Sequence, residues 1–209
     1  GSHALGQCGE WEVVPTPAPP QAQHMIIRDV VAIGPGDAWA VGGWSGQVNG
    51  AFQTFAFTMH WDGVEWTLVE TPQPTICNVC HNLTLWGVDA NGSDDVWAAG
   101  GAVIQAPDGF SGTHMLVMHW DGASWEVMDT PVQSGASGDL LWDVQANGPD
   151  DVWFFGENLY ADFPLMLDLA IAMHWDGSGF EIVDVPIVNF DGTGFADGNS
   201  LHSGDALAP

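Results

Sequence analysis

The stretch Asp95-Val96-Trp97-Ala98-Ala99-Gly100-Gly101, followed by His119-Trp120-Asp121-Gly122, decides the fold because both parts of it recur along the chain. The Asp-x-Trp part returns at Asp37-Ala38-Trp39 and Asp151-Val152-Trp153, and the His-Trp-Asp-Gly part returns from His60 and from His174. Three residues after each of these glycines stands an aromatic residue: Trp66, Trp125 or Phe180. A period of roughly 57 residues indicates a repeat architecture.

Each repeat contains four short apolar runs bounded by turn residues, which predicts consecutive antiparallel strands. In the second repeat the runs are residues 83–90, 96–100 and 115–120, and a closing strand begins at Trp125. Asp-Gly at 62–63, 121–122 and 176–177 predicts a hairpin turn between the third and fourth runs. Because no segment has sustained helical periodicity, we expect an all-β chain. Four antiparallel strands per repeat are the blade of a β-propeller.

The frame of the repeats predicts three full blades plus parts of a fourth. We interpret residues 1–10 as a tag remnant and tail, and residues 11–17 as the fourth strand of a blade. The full repeats then cover about 18–72, 73–131 and 132–186, and residues 187–209 begin a partial blade. The segments 46–53, 106–113 and 160–167 vary between repeats, and loops that vary over a constant scaffold are where binding specificity is expected.

The charge of the chain excludes several functions. A single cation, Arg28, stands against 27 acidic residues, for a formal net charge of −26. Nucleic-acid binding needs Lys and Arg to displace counterions from phosphates, and an anionic membrane surface would repel the chain. No apolar stretch approaches the roughly 18 residues of a membrane span. With one site for trypsin-like proteases, the composition favours a soluble protein of the extracellular space, periplasm or cell surface.

The phrases Asp-Val-Trp-Ala-Ala-Gly-Gly and His-Trp-Asp-Gly-x-x-Trp resemble the repeats of secreted bacterial β-propellers related to the kelch and galactose-oxidase-like group. The resemblance covers residues 11–209 and implies the fold, since such propellers serve as binding surfaces, spacers and occasional enzymes. The copper oxidases of this architecture use paired Tyr and His ligands with a cross-linked Tyr. Tyr160 is the one tyrosine of this chain, so the resemblance does not extend to that chemistry.

The string Cys77-Asn78-Val79-Cys80-His81 allows two principal interpretations. Two thiols followed by a His are the attachment motif of c-type haem, with His81 as the iron ligand. The same cysteines can form a short-loop disulfide that stiffens a long loop in an oxidising compartment, and we favour this alternative. Free thiols or a metal site complete the possibilities, and Cys8 is left as an odd cysteine.

A second candidate site lies in residues 190–199, an acidic and glycine-rich insertion. Oxygen donors from Asp191, Asp197 and Asn199 could hold Ca²⁺, although the spacing lacks the closing Glu of an EF-hand loop. The alternative is a surface loop without a ligand. We therefore expect no cofactor, with haem c and Ca²⁺ as the alternatives.

The repeated polar and aromatic residues are interpreted as structural, because a residue demanded in every blade serves packing or hydrogen bonding. Asp-Asp pairs before the tryptophans are expected to cap turns. The carboxylates of a glycosidase, by contrast, would be unique and not repeated. The residues assigned this structural role are Trp39, Trp97, Trp153, His60, His119, His174, Asp62, Asp121 and Asp176.

These observations lead to one functional hypothesis and two alternatives. The leading hypothesis is an extracellular, non-catalytic β-propeller segment that binds a protein or carbohydrate partner or another copy of itself. The first alternative is an electron-transfer protein carrying haem at Cys77, Cys80 and His81. The second is a structural subunit that forms larger rings or fibres by sharing half-blades, since an uncovered sheet edge invites pairing.

Overall fold

The computed structural model describes residues 13–72, 80–105, 111–131, 138–162 and 165–185. Twelve strands are found in these residues, and none of these residues forms a helix long and apolar enough to cross a membrane. The first group comprises β1 (His24–Gly34), β2 (Asp37–Val48), β3 (Ala51–Trp61) and β4 (Trp66–Val69). The second comprises β5 (Cys80–Gly92), β6 (Asp95–Gln105), β7 (Ser111–Trp120) and β8 (Trp125–Val127). The third comprises β9 (Gly138–Gly148), β10 (Asp151–Asp162), β11 (Leu165–Trp175) and β12 (Phe180–Val183).

Every group is an antiparallel meander in which each strand pairs with the next. The expectation of an all-β chain of antiparallel strands is confirmed. The third and fourth strands are joined at the repeated Asp-Gly, where Gly63, Gly122 and Gly177 have φ of 93°, 91° and 85°. Glycine is favoured there because a side chain strains the left-handed backbone conformation.

The variable segment 46–53 is not the loop that we expected from the sequence. β2 and β3 continue through it and are joined by a tight turn at Asn49-Gly50, both with positive φ. Asn-Gly is the preferred pair for a two-residue hairpin with this backbone geometry, so the strands can pair right up to the turn. Among the described residues 160–162 and 165–167, the strands β10 and β11 likewise remain paired.

The groups divide unequally between two sheets. The first group is a four-stranded sheet, whereas the second and third form one eight-stranded sheet. They are joined by a single parallel pair, Thr113 with Gly138, between β7 and β9. The described residues do not close into a ring. The structure therefore shows the predicted four-stranded antiparallel meanders, and the closed propeller stays a prediction.

The hydrophobic core lies between consecutive groups, because side chains of a strand alternate between its two faces. Trp39 and Val41 of the first group pack with Leu116 and Met118 of the second. One repeat further on, Trp97 of the second group packs with residues of the third, including Phe154 and Met173. The second group therefore contributes one face to each of two cores.

Aspartates on the first strands link the groups by hydrogen bonds. Asp29 of β1 accepts one from the backbone N–H of Val88 at 2.9 Å, and Asp89 of β5 accepts one from Ala146 at 2.8 Å. Both aspartates also accept the N–H of the residue that follows them in sequence. One carboxylate thus satisfies a backbone donor in its own strand and another in the next group.

Candidate functional site

The three motif histidines each contact the aspartate of their own Asp-x-Trp motif. Trp39, Trp97 and Trp153 stand opposite these histidines in the strand register, which places the preceding Asp beside the ring. The Nε2 to Oδ1 distance is 2.9 Å for His60 and Asp37, 2.8 Å for His119 and Asp95, and 2.8 Å for His174 and Asp151. These hydrogen bonds, which become ion pairs when the histidine is protonated, link the second strand of a group to its third.

The tryptophan that follows each histidine anchors the turn between the first two strands. Its indole N–H donates to a turn carbonyl at 3.2 Å in every group: Trp61 to Pro35, Trp120 to Ser93, and Trp175 to Pro149. Through its His and Trp, the His-Trp-Asp-Gly motif connects the third strand to the second strand and to the turn after the first. The motif recurs because each group needs these contacts.

The aspartates of Asp-Gly cap the hairpin turn that they begin. Asp121 Oδ1 accepts the backbone N–H groups of Ala123 and Ser124, both at 2.9 Å. The hydrogen bond from Ser124, followed by that from Ala123, lowers the pKa of this carboxyl below its ordinary value of 3.8. The pKa of Asp62 is lowered in the same way by Glu65 and Val64. For Asp176 the largest cause of the lowered pKa is the hydroxyl of Ser178.

The tryptophan of Asp-x-Trp packs on an aromatic pair of the next group. Trp39 has ring centroids of Trp120 and Trp125 at 4.8 and 5.3 Å, and is 2 % exposed. Trp97 has Trp175 and Phe180 at 5.6 and 6.5 Å, and is 1 % exposed. The same packing of one ring against a pair of rings is thus built twice in the described chain. Offset and edge contacts of this kind stabilise beyond the apolar area that they bury.

The first group carries the receiving half of this contact on a face that neither of the other groups covers. Trp61 and Trp66 form its aromatic pair, with centroids 5.8 Å apart, close to the 5.9 Å of Trp120 and Trp125. On the same face Val30 is 50 % exposed, whereas the aligned Val88 of the second group is 4 % exposed. We call this the outer face of the first group; its members are Ile27, Val30, Ala40, Phe57, Met59, Trp61, Trp66 and Leu68, of which Ile27, Val30 and Leu68 are exposed while Ala40, Phe57 and Met59 are buried in a small core cluster.

The third group carries the other half of this contact, the tryptophan Trp153 of its Asp-x-Trp motif. Trp153 alternates along β10 with Phe154, which packs against the second group, so the two side chains lie on opposite faces. The Trp153 ring lies 4.4 Å from that of His174 in its own group, and its indole N–H donates to Asp151 at 2.9 Å. Unlike Trp39 and Trp97, it is only half-buried.

A cleft of about 510 Å³ opens between the turns of the second and third groups. The aligned turns at the two junctions differ in sequence. Ser93 of the second group donates a hydrogen bond to Asp37 of the first, whereas the aligned residue of the third group is Pro149, which has no hydroxyl. Asp95 Oδ2 accepts instead from Asn91 of its own group at 2.8 Å. The cleft is lined by Asn91, Gly92, Asp94, Asp95, Trp97, His119, Pro149, Trp175 and Gly177.

The cleft can accept hydrogen bonds and offer an aromatic surface. Asp95 is occupied by His119, Trp97 and Asn91, so its role is to orient these side chains. Asp94 is exposed and can bind a ligand's hydroxyl or amine. No Ser, Thr, Cys or Lys nucleophile stands among the lining residues, and no metal-binding group of His, Cys, Asp or Glu occurs in the described part of the chain.

Two predicted sites fall wholly or partly outside the described residues. Cys77 lies there, and Cys80 and His81 are described only as backbone at the start of β5. The proposed calcium ligands Asp191, Asp197 and Asn199 lie beyond residue 185. The disulfide, haem and calcium interpretations therefore remain predictions.

Sequence reasoning missed both the cleft and the outer face. Aligning the turns 34–37, 92–95 and 148–151 exposes the change from Ser93 to Pro149, so the signal for the cleft was present. The exposure of Val30 has no such signal, because Val88 is the same residue type in the same pattern. In comparisons with known proteins, no family model matches the chain and no curated protein matches it significantly.

Proposed function

We propose that the chain is a segment of an extracellular β-propeller, related to the kelch and galactose-oxidase-like group, that acts without catalysis as a binding or assembly module. The observation that carries the proposal is the outer face of the first group, with its aromatic pair of Trp61 and Trp66. That face repeats the surface on which Trp39 and Trp97 pack in the second and third groups. A surface of this kind is typical of a protein interface.

The occupant that we propose is a second copy of the chain, presenting its third group. Trp153 would then pack against Trp61 and Trp66, as Trp39 packs against Trp120 and Trp125. The new interface would continue an arrangement that the chain already builds twice. Such head-to-tail contact is heterologous and leads to rings or filaments.

The recurrence of the His–Asp contacts supports a role without catalysis. The same pair stands in all three groups at nearly the same distance, and each aspartate also has another partner. The scarcity of Lys and Arg supports an extracellular location, because trypsin-like proteases have one site to cleave. A carbohydrate or protein ligand with hydroxyl or amine donors would suit the cleft.

Light scattering coupled to size-exclusion chromatography tests the assembly. We expect the mass of the full chain to rise with concentration and, because each copy carries −26, to rise further with added salt. Val30→Asp should return the protein to monomer, since it places a charge in the docked face. Phe52→Asp is the matched control: Phe52 is 59 % exposed but lies on the opposite face of β3 from Phe57.

A mass that stays monomeric at every concentration and salt level would overturn the docking of a second copy. A Val30→Asp protein that assembles like the wild type would do the same. An enzymatic activity that is lost on replacing Asp94 or His119, with folding intact, would contradict the non-catalytic role.

A further inference from the structure

The only cation of the chain lines a second cavity, which lies between the first and second groups. Arg28 faces a space of about 280 Å³ at the end of the sheets opposite the His–Asp contacts. Three hydroxyl side chains line the same space: Ser45 of β2, Thr54 of β3 and Thr84 of β5. The cavity therefore combines one guanidinium with several groups that donate and accept hydrogen bonds.

The position of Arg28 is set by an irregularity of β1. The register of β1 against β2 shifts between Ile27 and Asp29, so Arg28 has no directly opposed residue on β2. A bulge of this kind re-aims a side chain. Asp29, next in sequence, is turned towards Val88 and is occupied by two backbone N–H groups.

The guanidinium is held by an aromatic ring and not by a carboxylate. Its Cζ lies 4.0 Å from the ring centroid of Trp86, on the first strand of the second group. Trp86 is in turn braced edge-on by Trp142 at 4.8 Å. The ion pairs of the described residues are the three His–Asp contacts, and Arg28 takes part in none of them. A chain with 27 acidic residues thus keeps its one arginine free of acidic partners in the described structure.

The strands that form the walls of the cavity are closely packed. Ser45 and Thr54 are directly opposed across β2 and β3. Gly43 lets the second group approach, since a Cβ at that position would lie 3.1 Å from Thr84 Oγ1. Trp44 is also among the lining residues; its ring stacks on Phe55 at 4.6 Å and packs with the cluster on the other face of the sheet.

We propose that this cavity binds the carboxylate of a small acidic sugar, such as a uronic acid. Arg28 would bind the carboxylate through two parallel N–H donors of its planar guanidinium. This geometry fits a carboxylate better than the single charge of a lysine ammonium does. Ser45, Thr54 and Thr84 would bind the sugar hydroxyls. At about 280 Å³ the cavity lies just below the roughly 300–1,000 Å³ range of ligand sites, which suits one sugar ring. Repulsion by the net charge is largely screened beyond about 8 Å in physiological salt.

This proposal does not depend on the assembly of copies, because the cavity lies within one chain. Calorimetric titration with D-glucuronic acid tests it, and D-glucose is the matched probe without the carboxylate. We expect saturable binding of glucuronic acid and at least about tenfold weaker binding of glucose, since hydrogen bonds to charged groups contribute the most. Arg28→Gln should weaken glucuronic acid to the level of glucose, and Arg28→Lys should restore part of the affinity.

Hydroxyl recognition is tested separately with Thr54→Val and with acetate. Thr54→Val should weaken glucuronic acid while leaving acetate unchanged. The proposal is overturned if glucuronic acid does not saturate, if it binds no better than glucose, or if a folded Arg28→Gln protein binds it like the wild type. Tighter binding of N-acetylalanine than of glucuronic acid would replace the acidic sugar by a peptide carboxylate. Should Arg28→Gln fail to fold, the comparison of the two sugars on the wild-type chain still decides.

Discussion

The second group of strands lies between two other groups, whereas the first group packs against another group on one face. Their strand pattern is nearly the same, and aligned positions carry Val88 and Val30, or Trp125 and Trp66. Yet Val88 and Trp125 are 4 % exposed, while Val30 is 50 % exposed and Trp66 is partly exposed. The comparison teaches that the repeat specifies a sheet with two apolar faces. The number of neighbours then decides which positions become core.

The largest expected effect comes from replacing the tryptophan of Asp-x-Trp by alanine where a neighbouring group packs against it. Trp97→Ala should lower the free energy of unfolding by about 3–5 kcal/mol, because it leaves a cavity against Trp175 and Phe180. Trp153→Ala, at the aligned position of the third group, should cost clearly less in dilute solution. Urea unfolding of both variants measures the difference. Equal losses would mean that Trp153 already has a full set of neighbours.

A smaller effect is expected from the hydrogen bond between the turns of the first two groups. Ser93→Ala should cost roughly 0.5–1.5 kcal/mol, the usual contribution of one hydrogen bond. Although partial burial opposes ionisation of Asp37, the hydrogen bonds from Ser93 and then His60 lower its pKa, so Ser93→Ala should raise that pKa. An NMR titration of the Asp37 carboxyl measures it.

Pro149→Ser is the converse change at the next junction. It supplies a hydroxyl where the third group lacks one, and we expect it to reach Asp95 and narrow the cleft. Ligand binding in the cleft should then weaken while stability stays the same or rises slightly. A Pro149→Ser protein with an unchanged cleft ligand affinity would show that the turn sequence does not control the opening.

The smallest effects should be independent of neighbouring groups, because the Asp-Gly turns are local. The folded-state pKa values of Asp62, Asp121 and Asp176 lie below 3.8, so their contribution to stability is present above about pH 4. It is lost as the pH falls through the lowered pKa values. Asp62→Asn and Asp121→Asn should flatten this acid dependence equally. Acid unfolding followed by circular dichroism measures it, and unequal slopes would show that the turns depend on their neighbours.

Much of the described site was readable from residues alone. The order of the antiparallel strands and the Asp-Gly turn follow from local spacing and from the period of the repeat. The Asn49-Gly50 turn was equally readable but was interpreted as a variable loop. The carboxyl partners of the histidines were not predicted, because strand register brings Asp95 and His119 together across 24 positions.

The sequence by itself determined an all-β chain of antiparallel hairpins, since alternating apolar runs and turn residues act within a few positions of one another. Tertiary structure alone decided the rest. It left Val30 exposed where Val88 is buried, and it laid Arg28 over Trp86. The physical reason is that burial and electrostatic contact depend on which sheet lies opposite, and a repeated phrase presents the same residues whether or not that sheet is there.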